Sequence, residues 1–357
     1  MGRLEHVEPD SPDGALGRRC RRAADGPTVV DLFAGAGLMS AAFAAEGFRI
    51  VRAIELDRHA AQTYRLNLRC PIEVADVKRV RAAGSCDVLV AGPPCQGFST
   101  IGRRDTNDPR NALSLEVVRW VRQLRPKAVV IENVPAFLDS PIFRLVRHRL
   151  MRLGYYVVTY VLDAAHFGAP QRRARAFVVA TQRPVSSGGP HPVVRVATTV
   201  RDAWRGLSRH PNGENFHYAP RPSPLALARM RVIPRGGDRR DVMERAPRLA
   251  APSWWRLDIQ VTDVWGRMVW EAPSNTLKTE FNNASKGRYI HPSQHRVISL
   301  REAARLQTIP DRWQFAGYPI HIARQIGNSV PPVLGRAVAR FIREHLKWLQ
   351  STESACS

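Results

Sequence analysis

Residues 28–46 read TVVDLFAGAGLMSAAFAAE, an apolar run, a glycine-containing turn and a second apolar stretch. We predict a strand over Val29–Phe33 and a helix over Met39–Glu46. Gly35 and Gly37 fall between the two elements, where glycine permits a tight turn and a close approach of the backbone to a ligand. A strand, a glycine turn and a helix in this order are typical of the first unit of a doubly wound α/β sheet.

Strands and helices keep alternating up to Thr181. Further strands are predicted at Arg49–Ile54, Cys86–Ala91, Ala128–Ile131, near Tyr155–Leu162 and at Ala174–Ala180. Helices are predicted between them at Arg58–Leu66, Leu113–Leu124 and Ile142–Leu153. Because strands joined by helices form parallel sheets, the expected fold class is α/β, with a Rossmann-like, mostly parallel sheet.

The composition of the sequence changes after Thr181. The stretch that follows is rich in Pro, Gly, Arg, Trp and His and lacks the alternation of strands and helices. We predict a second, smaller and irregular domain in this part of the chain. The boundaries that we assign are a flexible basic leader at 1–27, a catalytic and cofactor-binding domain at 28–183, the smaller domain at 184–318 with a variable part at about 184–270, a C-terminal segment at 319–346 that returns to the catalytic domain, and a tail at 347–357.

The chain of 357 residues carries 54 Lys and Arg against 31 Asp and Glu, a formal net charge of +23. This excess points to a polyanionic partner, nucleic acid first. A genomic preference for arginine would explain why only five of the basic residues are lysine, but it would not explain the excess over acids. No apolar run approaches the ~18 residues of a membrane span, and the N-terminus lacks a secretory signal. We therefore expect a cytoplasmic protein with no membrane partner.

The five cysteines are scattered, without the CxxC or Cys/His spacing of zinc sites, so neither a disulfide framework nor a metal is expected. One of them stands out. Residues 92–99 read GPPCQGFS and directly follow the apolar run at 87–91. Cys95 is thus placed where a buried parallel strand ends, after two prolines that stiffen the backbone and before Gly97, which allows a sharp turn. A thiol in this position suits a nucleophile better than a packing residue.

Two acids follow the glycine turn at spacings that suggest a nucleoside. Glu55 ends the second strand, twenty residues after Gly35, where an acid can take the hydroxyls of a ribose. Asp76, after a third strand, could reach the amino group of an adenine. The third glycine of the dinucleotide fingerprint is missing, which lowers the case for a pyrophosphate. A nucleoside-bearing cofactor without phosphates is expected, and S-adenosylmethionine fits.

Charged residues also flank two later strands. Glu132 ends the strand before Asn133, at the same edge of the sheet as Cys95, where burial would raise its pKa and let it protonate or hydrogen-bond a ring nitrogen. A capping or salt-bridging acid is the alternative. Arg173 and Arg175 precede another strand and are expected on one face of it, where a guanidinium can hold a carbonyl oxygen or a phosphate. The alternative for these arginines is a solvated basic edge.

In order, these motifs resemble those of the DNA (cytosine-5)-methyltransferases from about Thr28 to Arg343. The matching segments are Asp31–Gly37, Glu55, Asp76, Gly92–Ser99, Glu132–Val134, Gln171–Arg175, Arg301–Gln307 and Gln325–Pro332. The resemblance implies the methyltransferase fold that binds S-adenosylmethionine, and it places the target-recognition region in the variable part of the smaller domain.

The resemblance also implies a mechanism. Cys95 would attack C6 of a cytosine, Glu132 would support the ring at N3, and Arg175 would hold O2 with Arg173 nearby. C5 would then take the methyl group from S-adenosylmethionine, and the base must be flipped out of duplex DNA to reach these groups.

Further residues are assigned to binding the donor and DNA. Those expected at the methyl donor are Phe33, Gly35, Gly37, Glu55, Asp76, Pro93, Asn328 and Ser329. Those expected at DNA are Ser99, with Arg103 and Arg104 of a loop that resembles the family's mobile loop, and Arg235, Arg239 and Arg240 of the variable region. We expect a bacterial monomer that acts on double-stranded DNA, with a cognate restriction endonuclease as a genetic rather than physical partner.

Two departures and two rival functions remain. Leu38 and Ala42 stand where the family often has glycine, which could alter packing near the cofactor, but activity is expected. An RNA cytosine methyltransferase is the closest rival, and the long variable region argues against it. A DNA-binding regulator without catalysis is the other rival, which the intact Cys95, Glu132 and Arg175 disfavour. Arg301 and Glu302 of the later motif are expected to organise the join between domains.

Overall fold

The computed structural model describes residues 25–94, 113–185, 188–192, 196–256 and 263–356. In these residues a seven-stranded sheet has the order β3-β2-β1-β4-β5-β7-β6. The strands are β1 Thr28–Leu32, β2 Arg49–Glu55, β3 Ile72–Val74, β4 Val88–Ala91, β5 Ala128–Asn133, β6 Tyr156–Asp163 and β7 Ala174–Thr181. The pairings among β1 to β5 are parallel, and β7 pairs antiparallel with both β5 and β6. The predicted α/β class with a mostly parallel sheet is confirmed.

Helices cover both faces of this sheet and continue beyond it. They are α1 Leu38–Ala45, α2 Arg58–Asn67, α3 Leu113–Leu124, α4 Pro141–Arg152, α5 Val200–Ala203, α6 Pro224–Val232, α7 Arg239–Arg245, α8 Leu300–Leu306, α9 Pro319–Asn328 and α10 Pro332–Cys356. The chain leaves β1 toward β2 on one side and reaches β4 on the other, so the strand order reverses beside β1. In open α/β sheets ligands bind outside the carboxyl ends of the strands at such a reversal.

Two apolar clusters hold the sheet from its two faces. One contains Phe43 of α1, Tyr64 of α2 and Leu334 of α10, and the other contains Trp120 of α3 and Val146 of α4. Alternate residues of each central strand point to opposite faces, and because both faces are covered, β4 is buried at every position. These clusters fix the strand ends that carry the site.

The C-terminal helix packs back onto α1 through an ion-pair cluster. Glu46, which follows α1, accepts hydrogen bonds from Arg336 at 2.8 Å and from Arg340, and its carbonyl accepts one from Arg343 at 2.8 Å.

Residues 230–297 have a smaller apolar cluster of their own, built around Met230, Trp254, Trp265 and Ile290. The division into domains given above stays a prediction. Cys70 is disulfide-bonded, which the scattered cysteines did not predict.

Buried charges join α8 to the segments around it. Arg301 is fully buried and donates to the carbonyls of Asn215, Pro310 and Trp313 at 3.0–3.1 Å. Glu302 accepts a pair of 2.7 Å hydrogen bonds from Arg296. Arg301 and Glu302 thus use their charged groups to bind other segments of the chain, which supports the structural role expected for these two residues of α8.

Removing the Glu302 carboxylate is therefore expected to destabilise the protein. Glu302→Ala leaves the guanidinium of Arg296 buried without its partner, a change that typically costs about 3–5 kcal/mol. The free energy of unfolding in urea measures this loss. Glu344→Ala, at an exposed acid of α10, is the control and should stay within about 0.5 kcal/mol of wild type. Equal stability of the two variants would contradict the assignment.

Candidate active site

A cavity of about 590 Å³ lies outside the carboxyl ends of the central strands. Except for Gly37, it brings together all the described residues that the sequence assigned to catalysis or to the donor. These are Phe33, Gly35, Glu55, Asp76, Pro93, Glu132, Arg173, Arg175, Asn328 and Ser329. Pro94, the residue before Cys95 in the chain, also lines this cavity. Cys95, Ser99, Arg103 and Arg104 lie outside the described residues.

The turn after β1 holds the carboxylate of Glu55 in place. The N–H of Gly35 donates to Oε2 of Glu55 at 2.7 Å, and the N–H of Asp57 donates to Oε1 at 2.7 Å. Gly35 has a φ of +55°, and a Cβ at this position would meet no atom within 4 Å. The glycine therefore leaves open space beside a fixed pair of carboxylate oxygens, and each oxygen keeps a lone pair for a ligand hydroxyl.

Gly37 has a different surrounding. Its φ is +89°, and a Cβ there would lie 2.7 Å from the Tyr64 ring and 2.8 Å from Leu68. The residue precedes α1 as its N-cap, so its lack of a side chain lets α1 begin close against α2. The structure places Gly37 behind the cavity rather than in its lining, and its contact with the donor stays a prediction.

Glu132 and Arg175 form an ion pair at the other end of the cavity. The side chains are 15% and 14% exposed, and Arg175 Nε lies 3.0 Å from Glu132 Oε1. The pair follows from the register of β5 and β7, since Glu132 lies opposite Phe177 and Arg175 is two residues away on the same face. Burial raises the pKa of Glu132, although the nearby Arg175 and Arg173 charges oppose the shift. A carboxyl group in this state is suited to giving a proton to a ring nitrogen.

Arg173 lies deeper than Arg175. It is 1% exposed and donates to the carbonyls of Leu277 at 2.8 Å and of Gly327 in α9 at 2.7 Å. It therefore ties three distant segments of the chain together at the wall of the cavity. Among the described arginines of the cavity, Arg175 is the one that pairs with Glu132.

Sequence reasoning missed several residues of the lining. Leu56, directly after Glu55, is 67% exposed and lines the cavity beside Asp57. Arg324 of α9 lines it from the opposite side. Leu38, one of the two departures from the family pattern, is 2% exposed and also lines the cavity. Leu38 and Arg324 reach the site through the packing of α1 and α9 against the sheet, which their local sequence does not reveal, whereas Leu56 lies there because it directly follows the end of β2.

Asp31 is a buried acid in the same cavity that the sequence analysis did not single out as a functional group. It is 2% exposed, and Oδ2 accepts a 2.6 Å hydrogen bond from the Ser40 hydroxyl, which in turn accepts one from Tyr64 at 3.1 Å. Burial raises the pKa of Asp31 to about 7, with a smaller contribution from Glu55 and an opposing one from Ser40. In the folded protein this acid is therefore protonated far above the usual pH for an aspartate.

This shift predicts a pH dependence of stability. The folded state holds the proton of Asp31 more tightly than the unfolded chain, so its contribution to stability is present below about pH 4 and is lost as the pH rises through about 7. In Asp31→Asn the free energy of unfolding should decline less over this range, by an amount on the order of 1–4 kcal/mol. Urea unfolding at the two ends of the range measures the difference, with Asp25→Asn as the exposed control. Parallel pH profiles for wild type and Asp31→Asn would contradict it.

The three arginines predicted to contact DNA in the variable region are not free. Arg235 pairs with Glu271, and Arg240 pairs with Asp238 at 2.8 Å. Arg239 is 3% exposed, so the structure does not place it where a DNA phosphate could touch it. Arg239 belongs to a basic run, but the fold of α7 turns this side chain inward. A DNA contact by Arg235 or Arg240 stays a prediction.

No group of three or more His, Cys, Asp or Glu side chains suited to a metal ion occurs in the described ranges. Within the same ranges, no helix combines the length and the apolar character that crossing a membrane requires.

Comparison with known proteins gives consistent matches. The family described as C-5 cytosine-specific DNA methylase matches residues 27–218 and 233–344. The Type II methyltransferase M1.HphI of Haemophilus parahaemolyticus is 32% identical, covering 88% of this chain and 86% of that protein. The Type II methylase M.HgiDII of Herpetosiphon aurantiacus is 31% identical, covering 91% and 97%.

Solved structures match as well. A DNA modification methyltransferase encoded within an E. coli prophage has a TM-score of 0.66 at 26% identity, covering 90% of this chain and all of that one. The S. pombe Dnmt2 methyltransferase has a TM-score of 0.63 at 19% identity, covering 90% and 99%, which shows the fold alone.

Proposed function

The chain belongs to the C-5 cytosine-specific DNA methylase family and is a DNA (cytosine-5)-methyltransferase, and from this membership we propose a more specific activity. The enzyme transfers a methyl group from S-adenosylmethionine to C5 of a flipped cytosine at a specific site in duplex DNA, through a covalent adduct with Cys95. The observation that carries this proposal is the single cavity that holds the Glu132–Arg175 pair at one end and the Gly35–Glu55 turn at the other.

The donor end of the cavity fits S-adenosylmethionine. Glu55, held by two backbone amides, has oxygens for the ribose hydroxyls, and Asp76 can accept from the adenine amino group. Phe33 and Leu56 supply apolar surface for the base, while Asn328 and Ser329 close the cavity from the end of α9. When bound, the donor supplies an electrophilic methyl group on a positively charged sulfur.

The remaining chemistry falls to side chains of this protein. The thiolate of Cys95 adds to C6 of the cytosine, and the ring electrons move toward C5 and N3. Glu132 supports this by donating a proton or hydrogen bond at N3, and Arg175 holds the carbonyl oxygen at C2. C5 then takes up the methyl group as the bond between this group and the donor sulfur breaks, which leaves a neutral thioether. Loss of the C5 proton to a base, with departure of the thiolate from C6 and return of the N3 proton to Glu132, restores the aromatic ring and frees Cys95.

The proposal extends to the biological setting. The curated relatives are Type II methyltransferases, which favours a role in protecting DNA from a cognate restriction enzyme. The predicted smaller domain at 184–318 would read the target sequence, the protein would act as a monomer, and it would work in the bacterial cytoplasm.

One experiment separates the proposal from its rivals. The purified protein is given S-adenosylmethionine labelled in the methyl group together with either duplex DNA or tRNA. The proposal expects label on cytosine C5 of the DNA. Label on tRNA alone would favour an RNA methyltransferase, and DNA binding without any transfer would favour a regulator. Bisulfite sequencing of DNA from cells that express the protein would then identify the site.

A further inference from the structure

A groove of about 740 Å³ leads away from the active-site cavity. The two spaces share Arg324 and Asn328 of α9, so these residues form the junction between them. A smaller cavity of about 290 Å³ continues the groove, since it shares Pro220, Asn282 and Ile320 with it. The three spaces therefore adjoin one another along α9.

The groove has one wall from α9 and one from the segments that precede α8. Ile320, Arg324 and Asn328 are spaced four residues apart, which puts them on one face of α9 toward the groove. The opposite wall contains Arg221 and the stretch 279–284. The lining combines the two arginines and the amides of Asn282 and Asn328 with apolar residues such as Met230 and Trp265.

Two guanidinium groups in this groove are available for a ligand. Arg324 and Arg221 are exposed, and neither has a hydrogen bond or ion pair with another described residue. By contrast, the acid of the groove, Glu280, is paired with Lys286 at 3.1 Å. Arg235 and Arg240, at the basic run that the sequence favoured, are also paired with acids. The arginines of the groove are thus exposed and unpaired among the described residues, whereas at that run Arg235 and Arg240 are paired with acids and Arg239 is buried.

We propose that Arg324 and Arg221 are positioning residues that bind the DNA backbone in this groove, with Arg324 on the phosphate next to the flipped cytosine. The inference rests on the proposed function. A flipped base enters the cavity while its sugar and phosphate stay outside, so the backbone must pass the mouth of the cavity. Arg324 is exposed and lines both the cavity and the groove that adjoins it. A guanidinium there fixes the register of the strand without reading the sequence.

The carboxylate of the methyl donor is the other anion that Arg324 could hold. The groups that suit the donor's nucleoside are Glu55, the last residue of β2, and Asp76, which follows β3. Arg324 lines both the groove and the cavity and is exposed, and Arg221 continues the positive charge on the other wall. An extended chain of phosphates accounts for both arginines, whereas a single small carboxylate accounts for one.

The test compares Arg324→Gln and Arg221→Gln with Arg147→Gln, which removes a charge from the exposed face of α4. Affinity for a duplex that the enzyme methylates is measured over a series of salt concentrations. The KM for S-adenosylmethionine is measured in parallel. Each groove variant is expected to lower the slope of log affinity against log salt by about 1 and to weaken binding several-fold for every sequence tested. The KM for the donor should stay at the wild-type value, and Arg147→Gln should match wild type throughout.

A raised donor KM in Arg324→Gln with an unchanged salt slope would overturn the proposal and assign this residue to the donor. Groove variants that match Arg147→Gln in both measurements would also overturn it. The wild-type protein separates this inference from the function beneath it. Wild type that transfers no methyl group to DNA refutes the proposed function, whereas active wild type with unaffected groove variants refutes the inference alone.

Discussion

Replacement of Cys95 by serine is expected to reduce methyl transfer by about 10⁴-fold or more. The proposed reaction needs a group that adds to C6 of the cytosine, and a thiol provides a far larger fraction of its anion near neutral pH than an alcohol does. Without the adduct, C5 does not become electron-rich enough to take the methyl group. The measurement is single-turnover transfer of labelled methyl groups to a duplex that contains the recognition site.

The loss should be confined to chemistry. Cys95→Ser differs from wild type by one atom, so binding of DNA and of S-adenosylmethionine should change little. Cys86→Ala is the matched control, because burial raises the pKa of the Cys86 thiol to about 12 and keeps it unreactive. This control is expected to stay within a few-fold of wild type. Transfer by Cys95→Ser at a rate within tenfold of wild type would refute the nucleophile assignment.

Replacement of Glu132 by glutamine should have the second largest effect, a fall in kcat of about 10²–10⁴-fold. Glutamine keeps the size of the side chain and can still donate a hydrogen bond, but it cannot transfer a proton to N3 of the ring. It also replaces the carboxyl group that lies 3.0 Å from Arg175 by a neutral amide, which weakens the contact that orients the guanidinium. Single-turnover rates with saturating DNA and donor isolate this effect from binding.

The pH profile gives a second readout for Glu132. Its pKa is raised by burial, and the protonated form is the one that can donate, so the wild-type rate should fall as the pH rises through that raised value. Glu132→Gln should lack this decline. Glu73→Gln, at an acid whose side chain is 46% exposed and pairs with Arg52, is the control and should keep both the rate and the profile of wild type. A Glu132→Gln enzyme within a few-fold of wild type would exclude the proton-donor role.

The sheet and the two ends of the site were predictable from sequence because strand ends are marked locally. The predicted strands at Arg49–Ile54 and Ala128–Ile131 are followed directly by Glu55 and Glu132, and parallel strands bring such ends to one edge. The hydrogen bond between Gly35 and Glu55 joins residues twenty positions apart for this reason. The pairing of Glu132 with Arg175 follows from the register of two neighbouring strands.

Other features depend on packing that sequence patterns do not encode. Arg239 belongs to an obviously basic run, yet it is buried, while Arg324 belongs to an ordinary helix and lines the cavity. A side chain at Gly37 would meet the Tyr64 ring of α2 and Leu68 directly after it, a packing constraint that the glycine turn alone does not reveal. In each of these cases the contact is made between segments whose mutual position is set by the folded core.

The covalent adduct between Cys95 and the target cytosine can be tested by trapping it with a modified substrate. The substrate is a duplex with 5-fluorocytosine in place of the cytosine that the enzyme methylates. Fluorine cannot leave C5 after methyl transfer, so the enzyme should remain covalently attached. We predict an adduct that survives denaturation, requires S-adenosylmethionine, and maps by mass spectrometry to the peptide that contains Cys95. A protein that methylates the ordinary duplex but forms no adduct with the fluorinated one, or forms it at another residue, would contradict the account.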